Sequence, residues 1–169
     1  NRTVSMVNKY FEGKVPSYNG TPNEVDKEFE EYTLEQINKF EEKLNEYEIA
    51  NSIQEIWNLV SRTNKYIDET MPWALAKEES DKAKLEACIY HLIENLRKIA
   101  ILIKPFMNDT AENIFRQIGI EKEELKTWKK IKENDQLKDI KVIQKGEPIF
   151  MRLNVEEEVE YLKDAMKKA

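Results

Sequence analysis

The chain of 169 residues has one cysteine, Cys88, and one histidine, His91. A disulfide within it is therefore impossible, and a Cys/His zinc site would need more ligands than these two. The two lie three apart on one helical pattern and can face each other. They read as a buried thiol beside a hydrogen-bonded histidine rather than a nucleophile–base pair. Glycine is scarce, at four residues, and neither a phosphate-loop nor a dinucleotide-binding glycine pattern occurs. An active site within this chain is not expected. No apolar run approaches the roughly 20 residues that cross a membrane. Residues 1–11 also lack the apolar core of a signal peptide, so the expected location is cytoplasmic, with no membrane partner.

Charge is plentiful instead. Charged residues make up 36% of the chain and hydrophobic ones 40%, which suits a helical protein with strongly charged outer faces. The length allows one domain with a sizeable core. A net charge of −6 argues against a general nucleic-acid binder, and against DNA, because non-specific binding depends on many lysine and arginine contacts to phosphates. A single-stranded RNA loop can still be read by a small patch through stacking and edge hydrogen bonds.

Residues 1–11 already carry Val4, Val7 and Phe11 at helical spacing, with no initiator methionine ahead of them, as in a piece of a longer protein. Gly13, Pro16, Asn19, Gly20 and Pro22 then form a dense turn region. A charged helix is predicted over 24–47, with Phe29, Ile37, Phe40 and Leu44 inward. Tyr47 and Glu48 fit either a junction or a continuous helix. The next helix, 48–70, has its stripe at Ile49, Ile53, Ile56, Val60 and Ile67, widened by Trp57 as a core residue. Pro72 forces a turn at Met71 and starts a new helical turn at Trp73. From these residues alone Trp73 is a tryptophan at a helix–helix corner. Ser80 is the expected N-cap of the most buried helix, which carries Leu85, Cys88, Leu92, Leu96, Ile99 and Ile103 and ends before Pro105. A shorter helix opened by Asp109 or Thr110 runs to Ile118, with Gly119 as its C-cap.

The character changes after Gly119. Residues 121–138 are charged and irregular, Ile140 to Gln144 reads as a short strand, and Ile149 to Met151 as a second extended piece. Asn154 caps a last amphipathic helix with Val155, Val159, Leu162 and Met166 on one side. The expected organisation is all-α: an antiparallel helix bundle over 1–120, an irregular or extended return segment over 121–153, and a C-terminal helix over 154–169 packing on the bundle.

Three blocks, in order, span nearly the whole chain: NRTVSMVNKYFEGKVP from Asn1, NKYIDETMPWALAK from Asn64, and KVIQKGEPIF from Lys141. Together they closely resemble the C-terminal anticodon-binding domain of bacterial methionyl-tRNA synthetases. The resemblance implies an α-helical bundle of the class I synthetase anticodon-binding type, following a catalytic domain. It implies recognition of the CAU anticodon of tRNA(Met), for aminoacylation by the ATP-using parent methionine-tRNA ligase. By that resemblance Trp73 stacks on an anticodon base, Pro72 shapes the corner, and Arg2 contacts the same base region. The asparagine usually found four residues before this arginine would lie upstream of Asn1. After Phe150 the family commonly has Pro-Arg-Ile-Asp, where this chain has Met151-Arg152-Leu153-Asn154. The family's HIGH-like and KMSKS motifs, its methionine pocket and its zinc-bearing insertion belong to the catalytic domain. This chain is thus expected to hold no cofactor and no zinc, and to support no methionine-dependent pyrophosphate exchange by itself.

Two other classes compete with this reading. An acidic helical protein–protein interaction module without RNA binding fits the composition equally well, and a fully buried Trp73 would favour it. A carboxylate-bridged metal bundle needs Glu-x-x-His pairs on facing helices, and His91 is preceded by Ala87 and Cys88 instead. It is rejected.

Overall fold

The apolar positions between Leu85 and Ile103 run almost all the way round their helix, and a helix of that kind must be enclosed by others. In the computed structural model, which describes residues 1–18, 20, 22–134, 137–150 and 153–168, this helix packs against most of the rest. The helices are α1 (Arg2–Phe11), α2 (Glu24–Asn45), α3 (Ile49–Thr70), α4 (Pro72–Leu75), α5 (Lys82–Ile103), α6 (Asn108–Gln117) and α7 (Val155–Lys168). Helix α5 touches α1, α2, α3, α4 and α6, and the all-α bundle expected from periodicity is the architecture found. None of the helices among the described residues is long and apolar enough to cross a membrane.

Helices α2 and α3 form an antiparallel hairpin. Asn23 caps α2 by accepting from the Asp26 N–H at 2.9 Å, and Tyr47, at φ 62°, makes the junction. Across the hairpin Phe29 stacks on Tyr66 with centroids 4.1 Å apart. The Tyr66 hydroxyl donates to Asp26 at 2.5 Å. Burial pushes both the Tyr66 hydroxyl and the Asp26 carboxyl above their usual pKa ranges.

The inner face of α3 keeps Ile56 and Ile67 of the stripe expected, but not the rest of it. That face is Ser52, Ile56, Leu59, Thr63, Tyr66 and Ile67, while Ile49 and Trp57 are exposed. Polar residues lie inward because they are satisfied there. Asn95 of α5 donates to Thr33 at 3.3 Å and Thr63 at 3.2 Å, and Thr63 returns a bond to the Leu59 carbonyl. Ser80 does not cap α5 either. It sits in a 3₁₀ turn, Glu79–Asp81, and Asp81 precedes α5 without a side-chain cap bond.

Gly119 ends α6 as expected, at φ +76°, donating to Arg116. The position is doubly restricted, because a Cβ there would lie 1.8 Å from the Lys141 carbonyl oxygen. Gly119→Ala is therefore expected to lower stability by about 2–4 kcal/mol, combining a left-handed backbone with a backbone clash. A urea titration of the 169-residue chain measures it, and a loss below about 1 kcal/mol would mean that the return segment simply moves aside.

That return segment differs from the two extended pieces expected. Lys141 makes an isolated antiparallel bridge to Lys14, with Val15 donating to Ile140 and Val142 to Gly13, both at 2.9 Å. No β-strand forms among the described residues. The partner is only residues 13–15, which begin at left-handed Gly13 and stop before Pro16, which has no N–H to continue the ladder. Ile149 and Phe150 form a bend rather than an extended piece, and Met151 lies outside the described residues. Helix α7 is present, with Asn154 accepting from Glu156 at 3.2 Å. Its packing on the bundle is not: Val155, Val159, Leu162 and Met166 are all exposed. Their stripe is narrow and flanked by Glu156, Glu158 and Glu160, and docking it would strip water from those carboxylates.

Candidate nucleic-acid interface

The corner at Met71 is a one-residue turn. The pre-proline rule predicts an extended Met71, but it adopts the left-handed region at φ 44°, ψ 62°. Hydrogen bonds explain this choice. Its N–H closes α3 on Ile67 at 3.0 Å, and its carbonyl accepts from Ala74 at 2.7 Å and Leu75 at 3.2 Å. A non-glycine residue in this region typically costs about 1–3 kcal/mol and is often found where function requires the geometry. Pro72 takes the first position of α4, where a missing N–H does no harm, and it is buried. Its part is to fix the corner, and little of its ring is left for a ligand.

Trp73 follows at once and is 46% exposed. Its indole forms one wall of a cleft of about 530 Å³. The other wall is a stripe of α1: Asn1, Arg2, Ser5, Met6, Lys9 and Tyr10. The opposite stripe of α1, at Thr3, Val4 and Val7, is buried, so the amphipathic period that seats the helix also aims this stripe outward. The structure thus brings Arg2 and Trp73 together across 71 positions of sequence. Arg2 lies 3.6 Å from Asp68, but both side chains are largely exposed, so this pair holds the guanidinium only weakly.

The cleft lining includes two cations and no carboxylate, on a chain whose net charge is −6. Lys9, Tyr10 and Met6 are cleft residues that the three matching blocks do not single out. Their spacing from Arg2 by four and eight, and from Ser5 by four, is the signal that could have found them. An exposed aromatic face beside cations can hold a flat, anion-bearing ligand by stacking and charge.

Cys88 and His91 do not form a reactive pair. The Cys88 sulfur contacts the Thr70 hydroxyl at 3.2 Å, and burial pushes its pKa up to about 12. His91 Nε2 instead bonds Glu30 at 2.8 Å, and Glu30 also accepts from Tyr18 at 3.0 Å. No cluster of three or more His, Cys, Asp or Glu positioned to hold a metal occurs among the described residues. A second groove of about 460 Å³ runs beside the first, mostly apolar, between α3, α5, α6 and the return segment. Trp57, read from sequence as core, lines it.

The family model described as the anticodon binding domain of methionyl tRNA ligase matches residues 15–166. Methionine–tRNA ligase of Bacillus subtilis is 46% identical over 166 residues, which are 98% of this chain and 25% of that protein. The Listeria innocua protein of the same name is 44% identical, covering 99% of this chain and 25% of its own length. The chain therefore spans about a quarter of the curated relatives it matches. Among solved structures, the apo form of Mycobacterium tuberculosis methionyl-tRNA synthetase superposes with a TM-score of 0.79. The match covers 90% of this chain and 30% of that one at 23% identity, and so speaks to the fold. An all-α bundle of matching shape, and a family model covering most of its length, place this chain in the family of anticodon-binding domains of methionyl tRNA ligase.

Proposed function

We propose that the cleft between α1 and α4 receives the CAU anticodon of tRNA(Met), so that a parent methionine–tRNA ligase can aminoacylate that tRNA using ATP. The observation that carries this reading is the half-exposed indole of Trp73 facing Arg2 across a cleft without carboxylates. A half-exposed indole beside basic side chains favours RNA over the interaction-module alternative. The two residues divide the work. An indole can stack on any base and so cannot choose cytosine over uracil, whereas a guanidinium supplies donors to base-edge or phosphate oxygens. ATP, and any zinc, are assigned to a catalytic domain outside this chain, and the cell compartment to the cytoplasm.

The test is aminoacylation by the full-length enzyme of native tRNA(Met) and of a tRNA altered at the first anticodon base. Arg2→Ala is expected to reduce the preference for the native base by about 1.5–3 kcal/mol, roughly 10- to 150-fold. Methionine activation without tRNA should be unchanged. An Arg2→Ala enzyme that keeps its full preference would remove Arg2 from the recognition set.

A further inference from the structure

The cleft runs along α1 beyond Arg2, to Lys9 and Tyr10. Arg2 and Lys9 are seven residues apart on α1, about 10 Å along the helix axis. The cleft is an open one of about 530 Å³. At the far end stands Lys9, exposed, with its ammonium 5.2 Å from the centre of the Tyr10 ring. Among the described residues no carboxylate pairs with it, although acidic side chains outnumber basic ones by 33 to 27. Most cleft-lining groups on α1 besides these cations are neutral, so nothing there competes for the ammonium.

Resting on the RNA reading above, we infer that Lys9 is a second subsite of the same cleft, one that takes the phosphodiester adjoining the base on Trp73. Tyr10 is a positioning residue. Its ring face holds the ammonium over the cleft by a cation–π contact, which leaves the lysine's N–H donors free for phosphate oxygens. A lysine here acts as a point charge without base preference. Trp73 and Arg2 then read the base, while Lys9 fixes the strand's register along α1.

The test is fluorescence-anisotropy titration of the full-length enzyme with a labelled tRNA(Met) transcript and one altered at the first anticodon base, each from 0.1 to 1 M monovalent salt. For one phosphate contact to a single strand, Lys9→Gln should lower the salt slope by about 0.7, which amounts to about fivefold weaker binding at 0.1 M relative to 1 M. The loss should be the same for both transcripts. Lys9→Arg should keep the wild-type slope, and Tyr10→Phe, which retains the ring, should keep both slope and affinity. An unchanged slope in Lys9→Gln overturns the inference, as does a loss confined to the native anticodon, which would make Lys9 a base reader. Trp73→Ala, measured in parallel, separates the two levels of the argument. If it weakens binding while Lys9→Gln does not, only the phosphate subsite fails. If neither variant changes binding, the anticodon reading fails with it.

Discussion

Arg97→Ala is expected to lower the stability of the domain by about 3–5 kcal/mol, enough to leave a marginal chain largely unfolded. Arg97 is fully buried in α5. Its Nε donates to both Glu94 carboxylate oxygens at 3.1 Å, and one Nη approaches Glu94 as well. The rest of the guanidinium serves the chain after α6. Nη1 donates to the Leu125 carbonyl at 2.8 Å, and Nη2 to the Lys130 carbonyl at 2.9 Å. One buried side chain therefore ties two 3₁₀ turns, Glu123–Lys126 and Trp128–Lys130, to the central helix. Truncation leaves the Glu94 carboxylate buried without its strongest partner. Lys98, whose pKa burial pushes below its usual range, is 3.9 Å away and a poor substitute. Three carbonyls, of Leu125, Lys130 and Glu133, lose their donor in addition. Urea denaturation of the 169-residue chain gives the loss, and limited proteolysis locates it. Cleavage should appear first within 121–134. A loss under about 1 kcal/mol would show that water replaces the guanidinium and that the turns need no such tie. Changing Glu94→Leu together with Arg97→Met should cost less than Arg97→Ala, since removing both charges leaves neither stranded.

Trp73→Ala should weaken tRNA(Met) binding to the full-length enzyme by about 1–3 kcal/mol, roughly 5- to 150-fold, through loss of a stacking face. The same change should hardly alter folding. The indole is 46% exposed, and the corner it stands on is set by Met71 and Pro72, whose backbone bonds do not involve the ring. Helical content by circular dichroism and the urea midpoint should stay close to wild type, and methionine activation, which needs no tRNA, should be unaffected. Aminoacylation kinetics with native and altered tRNAs complete the measurement. Retention of the full anticodon preference would end the stacking role. A collapse of the bundle would instead make Trp73 a structural residue, contrary to its exposure.

Which elements form was legible from local physics. Pro72, Pro105 and Gly119 punctuate the chain where the helices turn or stop, and the continuous apolar surface of 85–103 marks the helix that others enclose. The residues of the candidate site were legible in a different way. Periodicity gave Trp73 only a place at a corner, and the resemblance of three blocks supplied the link to Arg2. The geometry then added what neither could. Pro72 is turned inward, and Lys9, Tyr10 and Met6 join Arg2 on the open stripe of α1.

The failures share one cause. Apolar side chains alone predict an α3 stripe that includes Trp57, yet Ser52 and Thr63 face inward while Trp57 faces out. Polar atoms become acceptable inside only when a specific partner arrives from elsewhere, as Asn95 does for Thr63, and such partners are remote in sequence. Ile140 to Gln144 has strand propensity, but a strand needs a neighbour of adequate length, and residues 13–15 offer a single bridge. Arg97 looks like any surface arginine in a helix until the carbonyls of 125 and 130 fold over it. The sequence by itself determined helix content, the breaks and the family, because these depend on short-range periodicity, backbone restriction and contiguous motifs. The facing of polar residues, the partner of the return segment and the composition of the cleft belonged to the tertiary structure, because each rests on groups far apart in the chain.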